Sequence, residues 1–139
     1  MNFSALRVFL LVLVAGVFLS FNSGSSTSSQ YKLLFFEGSD WCINCIRFEK
    51  KILSENAFED FAQSNQIVLE RIDFPQRKQL DESTKRYNES MAEKYDFQGV
   101  FPTLVLVNVE TDAYRTIRYQ NQDLNEFVTV VLSKLKEIP

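Results

Sequence analysis

Apolar positions recur along the chain at two different spacings, and the changes from one to the other mark its elements. Tyr31-Lys32-Leu33-Leu34-Phe35-Phe36 is a short, nearly continuous apolar run that stops at Glu37-Gly38-Ser39. Its length and the glycine after it predict a buried strand. Beyond Trp41-Cys42 the spacing becomes helical, with Cys45, Phe48 and Ile52 on one face. Ser54 or Asn56 is expected to cap a further turn or two carrying Phe58, Phe61 and Ala62. Gln66 to Ile72 reads as a second strand, ended by Asp73-Phe74-Pro75. Leu80, Tyr87, Met91 and Tyr95 predict a helix with one apolar stripe. After Pro102, Thr103 to Val109 is a β-branched, buried strand; Glu110 to Ala113 suits a hairpin turn, and Tyr114 to Tyr119 its partner strand. Asp123 and Glu126 form an Asp-x-x-Glu capping pattern before a final helix whose apolar face carries Leu124, Phe127, Val128, Val131, Leu132, Leu135 and Ile138.

The order is therefore β-α-β, a helix, then β-β-α. A strand–helix–strand unit implies a parallel pair with a right-handed crossover, and the later hairpin adds antiparallel pairing. The fold class expected is α/β: a four-stranded mixed sheet with helices on both faces.

The start of the chain has a different character. Arg7 precedes the twelve-residue apolar run Val8 to Leu19, and small polar residues follow through Ser29. A basic start, a short hydrophobic stretch and small residues after it have the layout of a secretory signal peptide. A spanning helix needs about 20 apolar residues, so cleavage is expected, with an uncleaved anchor as the alternative. The expected organisation is a signal peptide over 1–22, a Ser-rich linker over 23–30 and one domain over 31–138. The protein is then exported, periplasmic or secreted. In such an oxidising compartment an idle pair of cysteines tends to become a disulfide.

Composition narrows the chemistry. The 139 residues contain no histidine and only two cysteines. His-dependent catalysis, His-based metal sites and a Cys₄ zinc or iron–sulfur site within one chain are thereby excluded. The net charge of −3, with both signs well mixed, gives no footing for nucleic-acid binding. No metal and no cofactor are expected beyond what the two thiols do together.

Those thiols, Cys42 and Cys45, are two residues apart at a predicted strand-to-helix junction. Cys42 falls at or near the helix N-terminus, where unpaired N–H groups and the positive end of the dipole stabilise a thiolate, the attacking species in disulfide exchange. Cys45 lies one turn further in, placed to resolve a mixed disulfide. Two other readings stay open: a small structural disulfide, and a metal-ligand pair shared between two chains.

The run Phe36-Glu37-Gly38-Ser39-Asp40-Trp41-Cys42-Ile43-Asn44-Cys45, with Phe101-Pro102-Thr103 later and Asp73-Phe74-Pro75-Gln76-Arg77-Lys78 between, resembles the thioredoxin superfamily. The likeness is to exported bacterial members carrying Gly-Ser-Asp-Trp-Cys-x-x-Cys, and it spans residues 31 to 137. It implies thiol–disulfide exchange with protein clients, Cys42 attacking and Cys45 resolving. It further implies a cis Phe101–Pro102 bond facing the cysteines, and a client groove formed by Trp41, Phe101, Pro102 and Thr103. There a client chain would pair like an added strand. Trp-Cys-x-x-Cys resembles reductases more than oxidases, and a reductase outside the cytoplasm needs an electron donor such as a membrane disulfide reductase. The alternative function is a binding module whose disulfide is structural.

Three departures from the family stand out. Ile43-Asn44 replaces the Gly-Pro of thioredoxin, a dipeptide that tunes redox potential in the family. The positions of its buried Asp and Lys are here Phe36 and Leu69. Glu37 and Asp40 are the carboxylates expected to substitute as proton acceptor through water, with a solvated surface role as the alternative for each. Gly99 stands three residues before Pro102 rather than two, which predicts a loop one residue longer.

Overall fold

A computed structural model describes residues 30–139; the expected signal peptide and residues 23–29 of the Ser-rich linker lie outside the described residues. The elements are β1 (Tyr31–Glu37), α1 (Ile43–Phe48) continuing into a π-helical turn (Glu49–Leu53), α2 (Asn56–Ser64), β2 (Ile67–Asp73), α3 (Glu82–Lys94), β3 (Thr103–Asn108), β4 (Tyr114–Arg118) and α4 (Leu124–Glu137). The strands lie in the order β2-β1-β3-β4. β1 and β2 are parallel, while β1–β3 and β3–β4 are antiparallel. This is the four-stranded mixed sheet the hydrophobic pattern predicts.

Alternation along β1 feeds two cores, because successive side chains in a strand point to opposite faces. Leu33 and Phe35 pack with Cys42, Cys45, Phe48, Ile52, Phe58, Phe127 and Val131, so α1, α2 and α4 cover one face. Leu34 and Phe36 pack with Ile72, Tyr95, Val105 and Val107, beneath α3. A central strand buried on both sides has no reason to alternate polar and apolar, and β1 and β3 do not.

Local sequence fixes most helix ends. Asp123 accepts from the Glu126 N–H while the Glu126 side chain accepts from the Asp123 N–H, a complete capping box on α4. Two helix starts differ from expectation. Neither Ser54 nor Asn56 caps α2: Ser54 closes the π turn, its N–H bonding Glu49 O five residues back at 2.9 Å, and Glu55 is the N-cap without a side-chain bond. On the other face α3 begins only at Glu82, because Asp81 accepts from the Thr84 N–H and Leu80 lies before this cap. Its inward stripe runs through Asn88, Met91 and Tyr95, while Tyr87 sits at the edge with its hydroxyl on Glu70. Asn88 is tolerated inside because its Nδ2 donates to Asp73 O at 2.7 Å.

Pairing register gathers three loops at one end of the sheet. Glu37 lies opposite Asp73 in the parallel pair and Phe36 opposite Thr103 in the antiparallel one. The segments 38–42, 74–78 and 97–102 therefore leave or enter the sheet side by side.

Candidate active site around Cys42 and Cys45

Cys42 is the N-cap of α1, in an extended conformation that ends the turn 38–42. Its N–H bonds Gly38 O at 2.8 Å, its carbonyl accepts from Ile46 N, and its Sγ accepts from Cys45 N at 3.1 Å. Cys42 and Cys45 are joined in a disulfide with Cα atoms 5.2 Å apart. In this oxidised state both are largely buried, Cys42 at 6% exposure and Cys45 at 1%. The less buried residue of the two is the one at the helix start, where the first-turn N–H groups favour a thiolate once the bridge opens.

Trp41 locks the approach to Cys42. Its Nε1 donates to Phe74 O at 2.8 Å, and its ring meets Phe101 edge-on with centroids 5.2 Å apart. The ring also lies where a Cβ on residue 38 would stand, 2.3 Å from Trp41 Cε2, so only glycine fits there. The Phe101–Pro102 peptide bond is cis. Pro102 is buried, and Thr103 opens β3 with its hydroxyl donating to Val100 O at 2.7 Å. Gly99 holds a positive φ of 72°, the left-handed turn that brings the chain into this loop.

Ile43 is 73% exposed, and Ile46 and Val100 are exposed as well. Asn44 accepts from Arg47 on the outer face of α1. The residues between the two cysteines thus face solvent, and neither packs into the core.

The two carboxylates expected near the thiols go to different places. Asp40 turns toward the loop after β2, where its oxygens accept from the N–H groups of Gln76, Arg77 and Lys78 at 2.7–2.9 Å. Desolvation pushes its pKa up, but these three bonds and the Lys78 charge outweigh it and hold the group below its ordinary 3.8. That carboxylate is committed to shaping a loop. Glu37 is buried at 3% exposure, so the surface role weighed for it does not apply. Arg71 Nε and Nη2 donate to its two oxygens at 2.6 and 3.0 Å. Phe36 faces the opposite core, its ring stacked on Phe97 at 4.7 Å. The polar position on the cysteine side is thus Glu37, one residue after the one predicted by counting back from Cys42.

Sequence reasoning passed over Arg71 and Asp73. Asp73 accepts from both the N–H and the hydroxyl of Ser39, at 2.8 and 2.6 Å, and ties the turn 38–42 to β2. Arg71 lies two residues before Asp73, on the same face of β2 as Ile67 and Leu69. Only the β1–β2 register brings it to Glu37; no local motif announces it. Among the described residues no group of three or more His, Cys, Asp or Glu side chains is placed to hold a metal, and no helix is long and apolar enough to cross a membrane.

No protein-family model matches the chain. It is 33% identical over 103 residues to the disulfide bond reductase DsbH of Chlamydia pneumoniae, a match covering 74% of this chain. The chain spans 61% of the length of that curated relative. Among solved structures, a DsbH oxidoreductase superposes with a TM-score of 0.70 and 30% identity, covering 78% of this chain and 74% of the other. A thioredoxin from Thermus thermophilus superposes with a TM-score of 0.51 and 15% identity, over 75% and 72% of the two chains. With the sheet order, the Cys-x-x-Cys pair at the head of α1 and these likenesses together, the chain belongs to the thioredoxin superfamily.

Proposed function

We propose that the protein is a thiol–disulfide oxidoreductase that reduces disulfides in protein clients outside the cytoplasm. The observation that carries this reading is the disulfide-bonded Cys42–Cys45 pair, with Cys42 as the N-cap of α1 beside Trp41 and Phe101. The likeness to a chain named a disulfide bond reductase supports the direction.

In the reduced protein the Cys42 thiolate attacks one sulfur of a client disulfide, and the other client sulfur leaves as a thiolate. Cys45 then loses its proton and attacks Cys42 Sγ. The client's second sulfur departs, and the Cys42–Cys45 bond seen in the structure forms. Two electrons pass to the client, whose thiolates take protons from solvent. No cofactor beyond the disulfide takes part. Trp41, Phe101, Pro102 and Thr103 orient the client chain, while exposed Ile43 and Asn44 touch it beside the reacting sulfur and tune the potential. A membrane disulfide reductase returns the pair to its thiol form. The hydrophobic run over residues 8–19 supports export, by a cleaved signal peptide or with that segment kept as a tether.

Insulin-disulfide reduction by wild type, Cys42→Ser and Cys45→Ser tests the assignment. Both variants should lose turnover, and variants as active as wild type would refute it. A catalytic pair should have a potential between about −120 and −270 mV. A value below about −300 mV would identify an inert bridge and a binding module instead.

A further inference from the structure

A cavity of about 330 Å³ opens beside the loop 97–102, lined by Asp96, Gln98, Val100, Thr103, Thr116 and Arg118. That volume is at the low end of the range for ligand sites, about 300–1,000 Å³. Strand alternation puts Thr103 on the face of Val105 and Val107, and Thr116 and Arg118 on the face of Tyr114, so the cavity belongs to the α3 side of the sheet. Arg118 lies opposite Thr103 in the β3–β4 register, which sets its guanidinium next to the residue that follows the cis bond.

The polar groups of this cavity are unequally committed. The Thr103 hydroxyl donates to Val100 O, and Asp96 Oδ1 accepts from Gln98 Nε2 at 2.7 Å. Arg115, on the same strand as Arg118, is tied to Glu137. Arg118 enters no ion pair and no side-chain hydrogen bond among the described residues, not even with Asp96, the one acid that shares the cavity. Its five N–H donors form a rigid fork that matches a carboxylate. Val100, 51% exposed, stands between the cavity and the Phe101–Pro102 bond. Successive side chains of an extended chain point to opposite faces. A client strand laid on Phe101 and Pro102 with one side chain toward the cysteines therefore turns its neighbour toward Arg118.

We propose that this cavity is a client subsite for an acidic side chain, with Arg118 as the residue that sets the preference. The proposal rests on the exchange reaction assigned to Cys42 and Cys45 above. The client carboxylate accepts two N–H bonds from Arg118, and the Thr116 hydroxyl supplies a further donor. No bond is made or broken here, so the subsite selects among clients and the chemistry at Cys42 is as already derived.

The test uses reduced full-length protein and a series of disulfide-closed peptides, identical except for Glu, Gln or Lys placed in turn at each position near one cysteine. Acid quench and thiol counting give the second-order rate constant of exchange with each peptide. At one position Glu should react faster than Gln by about threefold to tenfold, and Lys more slowly than Gln. The Glu-to-Gln ratio should shrink in about 0.5 M NaCl, which screens an open ion pair. Arg118→Gln should bring it to about one and Arg118→Glu should make Lys the preferred residue, because the charge that attracts is removed or reversed. Asp96→Asn, which removes the competing carboxylate, should raise it. Equal rates for Glu and Gln at every position, or a preference that survives in Arg118→Gln, would overturn the subsite while the oxidoreductase reading stands. If wild type exchanges with none of the peptides, the oxidoreductase reading falls and the subsite falls with it.

Discussion

Trp41 reaches across from the cysteine turn and donates its indole N–H to the carbonyl of Phe74, 2.8 Å away in the loop that follows β2. Other bonds tie the same two stretches of chain together. Phe74 N donates to Glu37 O, Ser39 donates to Asp73, and Asp40 accepts from residues 76–78. A turn that presents a reactive sulfur must hold its geometry while a client docks, and rigid support from a neighbouring loop supplies that.

Gly38 gives a direct measure of that support. In Gly38→Ala the new Cβ would stand 2.3 Å from Trp41 Cε2, so the indole must move and abandon Phe74. The expected cost is about 1–3 kcal/mol in urea unfolding, with quenched or shifted Trp41 fluorescence. An unchanged midpoint and spectrum would show that the ring has room to give.

Asp40 carries a pH signature. Its folded pKa lies below its ordinary 3.8, so its contribution to stability is complete above that value and is lost as the pH falls through the depressed one. Asp40→Asn should lower stability at neutral pH and flatten its acid limb. Amide exchange at Gln76, Arg77 and Lys78 should quicken, since those N–H groups lose a charged acceptor. Exchange rates equal to wild type would contradict the role assigned to this carboxylate.

Asn88→Ala removes the side-chain donor that α3 supplies to Asp73 O. A loss of about 1–3 kcal/mol is expected, read as a lower denaturation midpoint with an unchanged m-value.

The cap on α4 is separable from the site. Asp123→Ala should cost about 1 kcal/mol and leave insulin-disulfide reduction unaltered, since α4 meets the cysteine core through apolar side chains such as Phe127 and Val131 and not through its cap. A change in turnover would reveal coupling between that helix and the pair.

Where an element is set by neighbours in sequence, the pattern of residues sufficed. The run Leu33 to Phe36 is apolar on both faces and becomes a central strand; Asp123 and Glu126 cap α4; the two cysteines meet at the junction of a strand and a helix. The apolar spacing misplaced the start of α3, because Leu80 keeps the period but Asp81 offers its carboxylate to Thr84 and so sets the first turn. Counting back from Cys42 pointed to Phe36 for the missing acid, yet the pleat turns Phe36 to Phe97 and Glu37 to the sulfur side.

The sequence by itself determined that two thiols stand at the head of a helix after a buried strand, because strand, turn and helix are each decided by residues within one or two turns of chain. Only the tertiary structure decided which charged groups keep them company. Glu37 meets Arg71, and Asp40 meets Gln76 to Lys78, across thirty or more residues. Such pairs depend on strand register and on which face each side chain takes, and a shift of one residue would exchange those faces.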